Sequence, residues 1–141
     1  MFYQAIVTGN SERWSAVFPD CPGCQTQADD DQELRAMAKE ALEGWLETHL
    51  ACGDVPPQPC MKADTHLLQV DIDPVLAMRI QVRLARHKAG WTQQDLADRA
   101  GVSLKQIVKL EHPDLNAKMA TITKVAEAFG ISLDVRFEAV A

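Results

Sequence analysis

Apolar and polar residues alternate with a short period in the first part of the chain and recur with a helical period in the rest. Three short stretches near the start have the composition and alternation of β-strands. They are residues 2 to 7, 14 to 18 and 25 to 27. From Asp31 to about Ala51, apolar residues recur at i, i+3 and i+4, which predicts an amphipathic helix that Asp31 caps. Apolar residues alternate again over residues 66 to 72, so this segment is expected to return to the sheet. The order predicts one helix packed on a small, mainly antiparallel sheet.

After residue 72 the helical period dominates as far as Gly130. Asp73 and Pro74 are the residue types of an N-cap and a first helical position, and the helix that they open is expected to end at Gly90. The apolar positions of that helix are Leu76, Ile80 and Leu84, and those of a last helix before Gly130 are Ile122, Val125, Ala126 and Phe129. This half is therefore predicted to be a helical bundle.

Two short helices joined by a sharp turn are predicted between these outer helices, over residues 92 to 111. Each begins with a pair of residues that has the spacing of a capping box. The pairs are Thr92 with Asp95 and Ser103 with Gln106. Gly101 lies where the first helix must end, and glycine adopts the left-handed conformation of such an end without a steric penalty. The pattern indicates a helix-turn-helix.

The second short helix combines an apolar inner face with a basic outer face that also carries an amide. Its outward residues are Leu104, Lys105, Gln106, Val108 and Lys109. Such a helix suits the major groove of DNA. We expect Lys105 and Lys109 to reach guanine edges or phosphates, although for Lys109 a merely solvated position is an equally open interpretation. Gln106 would support these contacts, and Leu104 would meet a thymine methyl group.

Residues 74 to 130 resemble the Xre (phage Cro-repressor) helix-turn-helix family. The matching residues are Thr92, Gln93, Leu96, Ala97, Gly101, Val102, Ser103, Ile107, Leu110, Glu111 and the run from Val125 to Gly130. The resemblance implies that Gln93 clamps a DNA phosphate, and Ser103 completes the set of expected DNA-binding residues. The alternative is a helical bundle in which the turn is purely structural.

The period of the sequence changes again after Gly130. Ile131, Leu133, Val135 and Phe137 alternate with polar residues, which predicts a strand. We expect it to pair with its counterpart across a two-fold axis, or with another strand of the chain. A homodimer or higher homo-oligomer follows from the first arrangement, and it would place two recognition helices about 34 Å apart on DNA.

Charge is divided unevenly along the chain, whose formal net charge is −6. Residues 1 to 60 hold three Lys and Arg against ten Asp and Glu, a net charge of −7. Residues 79 to 124 hold nine basic against four acidic residues, a net charge of +5. Arg86 and Arg99 in this segment are further candidates for phosphate contacts. A basic DNA-binding part can therefore lie beside an acidic part with another role, because salt screens charges beyond about 8 Å.

The first part of the chain is similar to the HicB antitoxin family over about residues 3 to 72. The similarity rests on Phe18-Pro19-Asp20-Cys21-Pro22-Gly23-Cys24, on Ala38-Lys39-Glu40-Ala41-Leu42 and on Trp45-Leu46-Glu47. It implies a truncated RNase H-like domain that neutralises a HicA-like RNA-cleaving toxin, followed by a domain that represses the operon. The loop over residues 8 to 13 and Cys21 depart from the usual family pattern.

The whole chain is accordingly predicted to have an α+β fold in two parts. Residues 1 to 72 would form the toxin-binding domain, with a turn-rich connection over residues 53 to 65 before its last strand. Residues 73 to 141 would form the helix-turn-helix domain for DNA binding and dimerisation. The expected partners are operator DNA, a HicA-like toxin and a second copy of the chain, with no membrane, in the cytoplasm.

The four cysteines allow either a reactive or metal-binding role or a purely structural one. Cys21 and Cys24 could be a redox dithiol, or could form a zinc site with Cys52 and Cys60, although the spacing of the second pair is unusual for zinc. A packed Pro-Gly turn is the simpler interpretation, so we expect no metal and no cofactor.

Carboxylates for a metal-dependent nuclease are clustered only at Asp20 and at residues 29 to 31, where helix capping explains them better. No enzymatic activity is therefore expected. The alternative function is a stand-alone transcriptional regulator whose N-terminal domain senses a metal or a thiol oxidant.

Overall fold

A computed structural model describes residues 1 to 62 and 66 to 140. The first part is a four-stranded antiparallel sheet with strand order β3-β2-β1-β4 and one helix packed against it. The elements are β1 (Phe2–Gly9), β2 (Trp14–Val17), β3 (Gln25–Ala28), α1 (Asp31–Ala51) and β4 (Leu67–Asp71). The predicted order of elements and the α+β class are confirmed.

One face of the sheet is buried under α1 and the other faces outward. Tyr3, Ala5 and Ala16 point inward and are fully buried, whereas Ile6 and Val17 point outward from adjacent positions of β1 and β2. The helix covers the inner face with a single stripe of buried residues, Leu34, Ala38, Leu42, Leu46 and Leu50. Burying this stripe removes apolar surface from water, which is the main force that holds the helix on the sheet.

The cap of α1 is one residue earlier than predicted. Asp30, not Asp31, is the N-cap, and its carboxylate accepts a hydrogen bond from the backbone of Glu33 at 2.7 Å. The carboxylate of Glu33 in turn accepts from the backbone of Asp29 at 3.1 Å. Asp31 is the first helical residue and pairs with Arg35 instead. Three successive aspartates are chemically equivalent as caps, so the position of Glu33 selects Asp30.

The connection between α1 and β4 is tied to β1 by side chains. Tyr3 donates its hydroxyl proton to the carbonyl of Pro57 at 2.8 Å, and the amide of Gln4 exchanges two hydrogen bonds with the backbone of Lys62, both at 2.8 Å. As predicted, residues 53 to 62 contain no helix or strand. Residues 63 to 65 of the predicted connection lie outside the described residues.

The second part contains four helices, and none of the described helices is long and apolar enough to cross a membrane. They are α2 (Pro74–Lys88), α3 (Gln93–Ala100), α4 (Leu104–Glu111) and α5 (Met119–Ala128). Both predicted capping boxes are formed, at the start of α3 and of α4. Gly101 ends α3 with φ +67°, a left-handed conformation that disfavours any side chain. The predicted helix-turn-helix is thus confirmed as a structure.

The strand predicted after Gly130 is not formed within the chain. Residues 131 to 140 lie exposed in neither helix nor strand, and neither β3 nor β4, the two edges of the sheet, pairs with them. A β-strand is defined by backbone hydrogen bonds to a neighbouring strand, and none of the described strands supplies them to this segment. Pairing with another strand of the chain was therefore wrong, and pairing with a second copy stays a prediction.

Helix α2 belongs to both hydrophobic cores of the molecule. Leu76, Ala77 and Ile80 pack into the core between α1 and the sheet, whereas Val82 packs into the core of the helix-turn-helix. The remaining buried residues of that second core are Leu96, Ala97, Ile107, Leu110 and Val125. The two parts are joined through this helix as well as through the chain.

A buried carboxylate connects α2 with α3 and α4. Glu111 at the end of α4 is fully buried. It accepts hydrogen bonds from Nε of Arg86 at 2.6 Å, from Nη2 of Arg86 at 3.1 Å and from Nε of Arg83 at 3.3 Å. Nε2 of Gln93 on α3 donates to the same carboxylate at 3.0 Å. Glu111 thus fixes the three helices relative to one another.

Arg79, one helical turn before Arg83, binds backbone carbonyls at the end of α4. Its guanidinium donates to the carbonyl of Lys109 at 2.7 Å, to that of Leu110 at 2.8 Å and to that of Leu115. The first two belong to the last turn of α4, whose carbonyls have no partner within the helix. Desolvation by burial lowers the pKa of Arg79, yet an arginine stays charged at neutral pH.

Arg83 also reaches the first part of the molecule. Its Nη1 donates to the carbonyls of Leu50 and Asp54, both at 2.9 Å, at the end of α1 and just after it. Burial lowers the pKa of Arg83, and the neighbouring charge of Glu111 acts in the opposite direction. One side chain therefore joins the end of α1 to the end of α4.

Replacing Glu111 by glutamine should destabilise the protein strongly. Glu111→Gln preserves the shape of the side chain but leaves Arg83 and Arg86 buried without a counter-charge, which should lower the free energy of unfolding by about 3–5 kcal/mol. Asp98→Asn is the control, because Asp98 is exposed and accepts a hydrogen bond from Gln94 on its own helix. The control should shift urea unfolding by no more than about 0.5 kcal/mol. Equal shifts for the two variants would contradict the role of the network.

Candidate nucleic-acid interface

The outward face of α4 is the one that the sequence predicted. Leu104 is 42% exposed and Val108 is 37% exposed, and Lys105 beside them is exposed as well. Lys109 is half-buried, with its backbone carbonyl bound by Arg79. The opposite side of the helix is anchored by fully buried Ile107, Leu110 and Glu111. The geometry presents two cations and two apolar side chains to the outside.

Two of the predicted DNA-binding residues, Ser103 and Gln106, use most of their polar groups in the capping box at the start of α4. Oε1 of Gln106 accepts from the backbone N–H of Ser103 at 2.9 Å and from the Ser103 hydroxyl at 3.3 Å. The same hydroxyl accepts from the backbone N–H of Gln106 at 3.2 Å. Nε2 of Gln106 donates to no acceptor within the described chain. Ser103 positions the start of α4, and Gln106 keeps only its N–H groups for a ligand.

Gln93 is held by the buried carboxylate of Glu111. It is the first residue of α3, half-buried, and its Nε2 spends one proton on Glu111. The second proton of Nε2 points away from that bond and is the group that a phosphate would accept. Its role as a phosphate clamp stays a prediction. The structure adds that the buried carboxylate of Glu111 orients the Gln93 side chain.

The two arginines proposed as further phosphate contacts have different positions. The prediction that Arg86 contacts phosphates was wrong, because Arg86 is only 8% exposed. Its guanidinium donates to Glu111 and to the carbonyl of Trp91 instead. Arg99 is exposed, with its guanidinium 4.3 Å from the centre of the Trp91 ring. That ring stacks on Phe129 in turn, which holds Arg99 at the surface of the bundle.

The surface of the helical part is less basic than its composition suggested. Of the nine basic residues from 79 to 124, three are the buried arginines of α2, and of the four acidic residues one is the buried Glu111. Six basic and three acidic residues are left near the surface, a net charge of +3. The surface cations are Lys88, Arg99, Lys105, Lys109, Lys118 and Lys124. The segment is still positive where it meets solvent.

The cysteine turn in the first part is a packed structural feature. Cys21 and Cys24 are buried, and backbone hydrogen bonds close the turn from Phe18 to Cys24 at 2.9 to 3.1 Å. Burial raises the pKa of Cys21 to about 12, with smaller contributions from Cys24 and Asp20. Cys52 and Cys60 are exposed. In the described chain no three His, Cys, Asp or Glu side chains are grouped to hold a metal ion.

The acidic residues that could have served a nuclease have local partners instead. The carboxylate of Asp20 accepts from the backbone of Cys60 at 2.8 Å. Asp30 caps α1, and Asp31 pairs with Arg35 at 3.0 Å across one turn of the helix. These contacts account for the acidic run as helix-start chemistry.

The four cysteines should differ sharply in reactivity. With iodoacetamide at pH 8, Cys52 and Cys60 should be alkylated in the native protein, whereas Cys21 and Cys24 should be protected until denaturant is added. The reason is that the thiolate is the nucleophile, and burial raises the pKa of both inner thiols and keeps them protonated. Peptide mass spectrometry measures each site. Native labelling of Cys21 at the rate of Cys60 would restore the thiol-sensing alternative.

Comparisons with known proteins agree with both halves of this description. Residues 82–135 match the helix-turn-helix family. The chain is also 29% identical over 121 residues to antitoxin HicB 1 of Photorhabdus laumondii, in an alignment that covers 86% of this chain and 76% of that protein. The resemblance drawn from the sequence is thereby confirmed: the chain is similar to a HicB antitoxin over most of its length and contains an Xre-type helix-turn-helix.

Proposed function

We propose that this protein is the antitoxin of a type II toxin–antitoxin system. It would neutralise a HicA-like RNA-cleaving toxin by direct binding, and repress its own operon by binding operator DNA. It would act by binding rather than by catalysis, in the cytoplasm. The observation that carries the proposal is the combination of a helix-turn-helix that has its own hydrophobic core with an acidic first part, joined to it through α2.

The DNA-binding arm is assigned to residues 73 to 141. Helix α4 would enter the major groove, because Leu104, Lys105 and Val108 are the side chains that it presents to solvent. Gln93 and Lys109 lie at its borders and would meet phosphates, and Ser103 with Gln106 would hold the start of the helix in place. The positive surface supplies the sequence-independent part of the affinity.

The toxin-binding arm is assigned to residues 1 to 72. Its acidic side chains lie mostly at the surface; those of α1 with high exposure are Asp31, Glu33, Glu40 and Glu47. A protein that binds RNA needs a basic surface, and an acidic partner accelerates encounter with such a surface and covers it. Neutralisation would be steric, because a covered toxin cannot reach RNA.

A homodimer would complete the repressor. The exposed segment after Gly130 keeps apolar Ile131, Leu133, Val135 and Phe137 in water, with exposed fractions between 42% and 98%. Exposure of this much apolar surface is a liability for a monomer and typical of a contact surface. Antiparallel pairing of two such segments would bury them and place two copies of α4 on successive major grooves.

Lys105→Ala tests whether the two arms are separate. The variant should lose roughly 1–3 kcal/mol of specific DNA binding and still neutralise the toxin. DNA binding is measured by fluorescence anisotropy on the segment upstream of the gene, and neutralisation by growth with the adjacent toxin gene expressed. Lys39→Ala on α1 removes the same charge from the other arm and should leave DNA binding unchanged. Equal damage to both functions by Lys105→Ala would refute the two-arm assignment.

Removal of residues 131 to 141 tests the dimer. The truncated protein should sediment as a monomer and lose operator affinity, because each half-site would then be bound independently. A shorter truncation that removes only residues 138 to 141 keeps the alternating segment and should sediment like the full chain. A full dimer after the longer truncation would place the dimer contact elsewhere.

A further inference from the structure

The outer face of α4 offers a restricted set of chemical groups to DNA. Over residues 103 to 109 only two side chains, Ser103 and Gln106, contain a hydrogen-bond acceptor. Oε1 of Gln106 accepts two hydrogen bonds in the capping box, and the Ser103 hydroxyl uses one of its two lone pairs there. The orientation of the Gln106 amide is fixed, because Oε1 accepts from a backbone N–H that can only donate. The free groups of this amide are therefore its two N–H protons.

Apart from one lone pair of the Ser103 hydroxyl at the start of the helix, this face is left with hydrogen-bond donors and apolar carbons. Lys105 and Lys109 contribute ammonium groups, and Gln106 contributes N–H groups. Leu104 and Val108 are four residues apart, so their side chains are neighbours on one side of the helix. Both are more than a third exposed. The face is apolar at its centre and positively charged beside it.

These groups match only some bases of the major groove. Guanine presents the two acceptors N7 and O6, and thymine presents the acceptor O4 together with a methyl group. Adenine has one acceptor, N7, beside an amino group, and cytosine has an amino group, and these amino groups need an acceptor from the protein. We propose that α4 selects operator half-sites through thymine methyl groups and guanine, with Leu104 and Val108 as the specificity-determining residues. This inference rests on the proposed function as a DNA-binding repressor.

The position of Leu104 and Val108 beside two lysines favours DNA rather than a protein partner. Lys105 lies between the two apolar residues in the sequence, and Lys109 follows them, so any occupant of the Leu104 and Val108 surface meets ammonium groups at once. A second copy of this chain that presented the same face would bring the same cations to the contact and be repelled. A polyanion with methyl groups in its groove satisfies both features.

The test compares DNA with and without the thymine methyl. The wild-type protein first selects a duplex from a random library, and its affinity for that duplex is then compared with its affinity for the same duplex synthesised with deoxyuridine for thymidine. Each methyl group buried against the protein should contribute about fourfold, so two in a half-site should give about a fifteenfold loss. In the double variant Leu104→Ala, Val108→Ala the two duplexes should bind alike.

Controls separate this inference from the proposed function. Met37→Ala removes an equally exposed apolar side chain from α1 and should keep the wild-type preference for thymine. Thermal unfolding checks the double variant, and Val108→Thr, which keeps the β-branched shape, should lose part of the preference. Equal wild-type affinity for both duplexes, or a preference that survives in the double variant, would overturn the inference and leave DNA binding intact. Failure to select any duplex would overturn the proposed function as well.

Discussion

A single carboxylate, that of Glu111, determines how the helix-turn-helix is held together. A fully buried negative charge is tolerated only if cations and hydrogen-bond donors surround it, and Arg83, Arg86 and Gln93 supply them from two other helices. Moving any of these helices would leave a buried charge without its partner. The arrangement is therefore selected against alternatives by electrostatics, whereas apolar packing alone tolerates small displacements.

The network has a functional consequence, because Glu111 is the last residue of α4. The capping box of Ser103 and Gln106 fixes one end of the helix, and the arginines of α2 fix the other. A side chain that reads a base must be positioned to within a fraction of an ångström. In this protein both ends of an eight-residue helix are held by polar contacts, while one side of it faces outward.

The sequence predicted those features that depend on neighbouring residues. Capping pairs, the turn at Gly101 and the inner and outer faces of α4 follow from spacings of three or four residues, and the structure has them as expected. The burial of the arginines of α2 was not predicted from the sequence. They resembled a basic surface, because their burial depends on contacts 25 to 33 residues away that no local pattern contains. The segment after Gly130 could not be settled for a similar reason, since a strand is defined by its partner. How the expected DNA-binding residues act stays a prediction. Ser103 and Gln106 already use some of their polar groups in the capping box.

The sharing of α2 between two cores limits how such a protein can diversify. A new N-terminal part joined at residue 73 would meet a helix whose Leu76, Ala77 and Ile80 are shaped to another sheet, and an Arg83 deprived of the carbonyls of Leu50 and Asp54. Exchange of whole domains by recombination is therefore disfavoured. Single substitutions at the few outward positions of α4 disturb neither core, so the surface of the helix-turn-helix can change while its attachment to the sheet is kept.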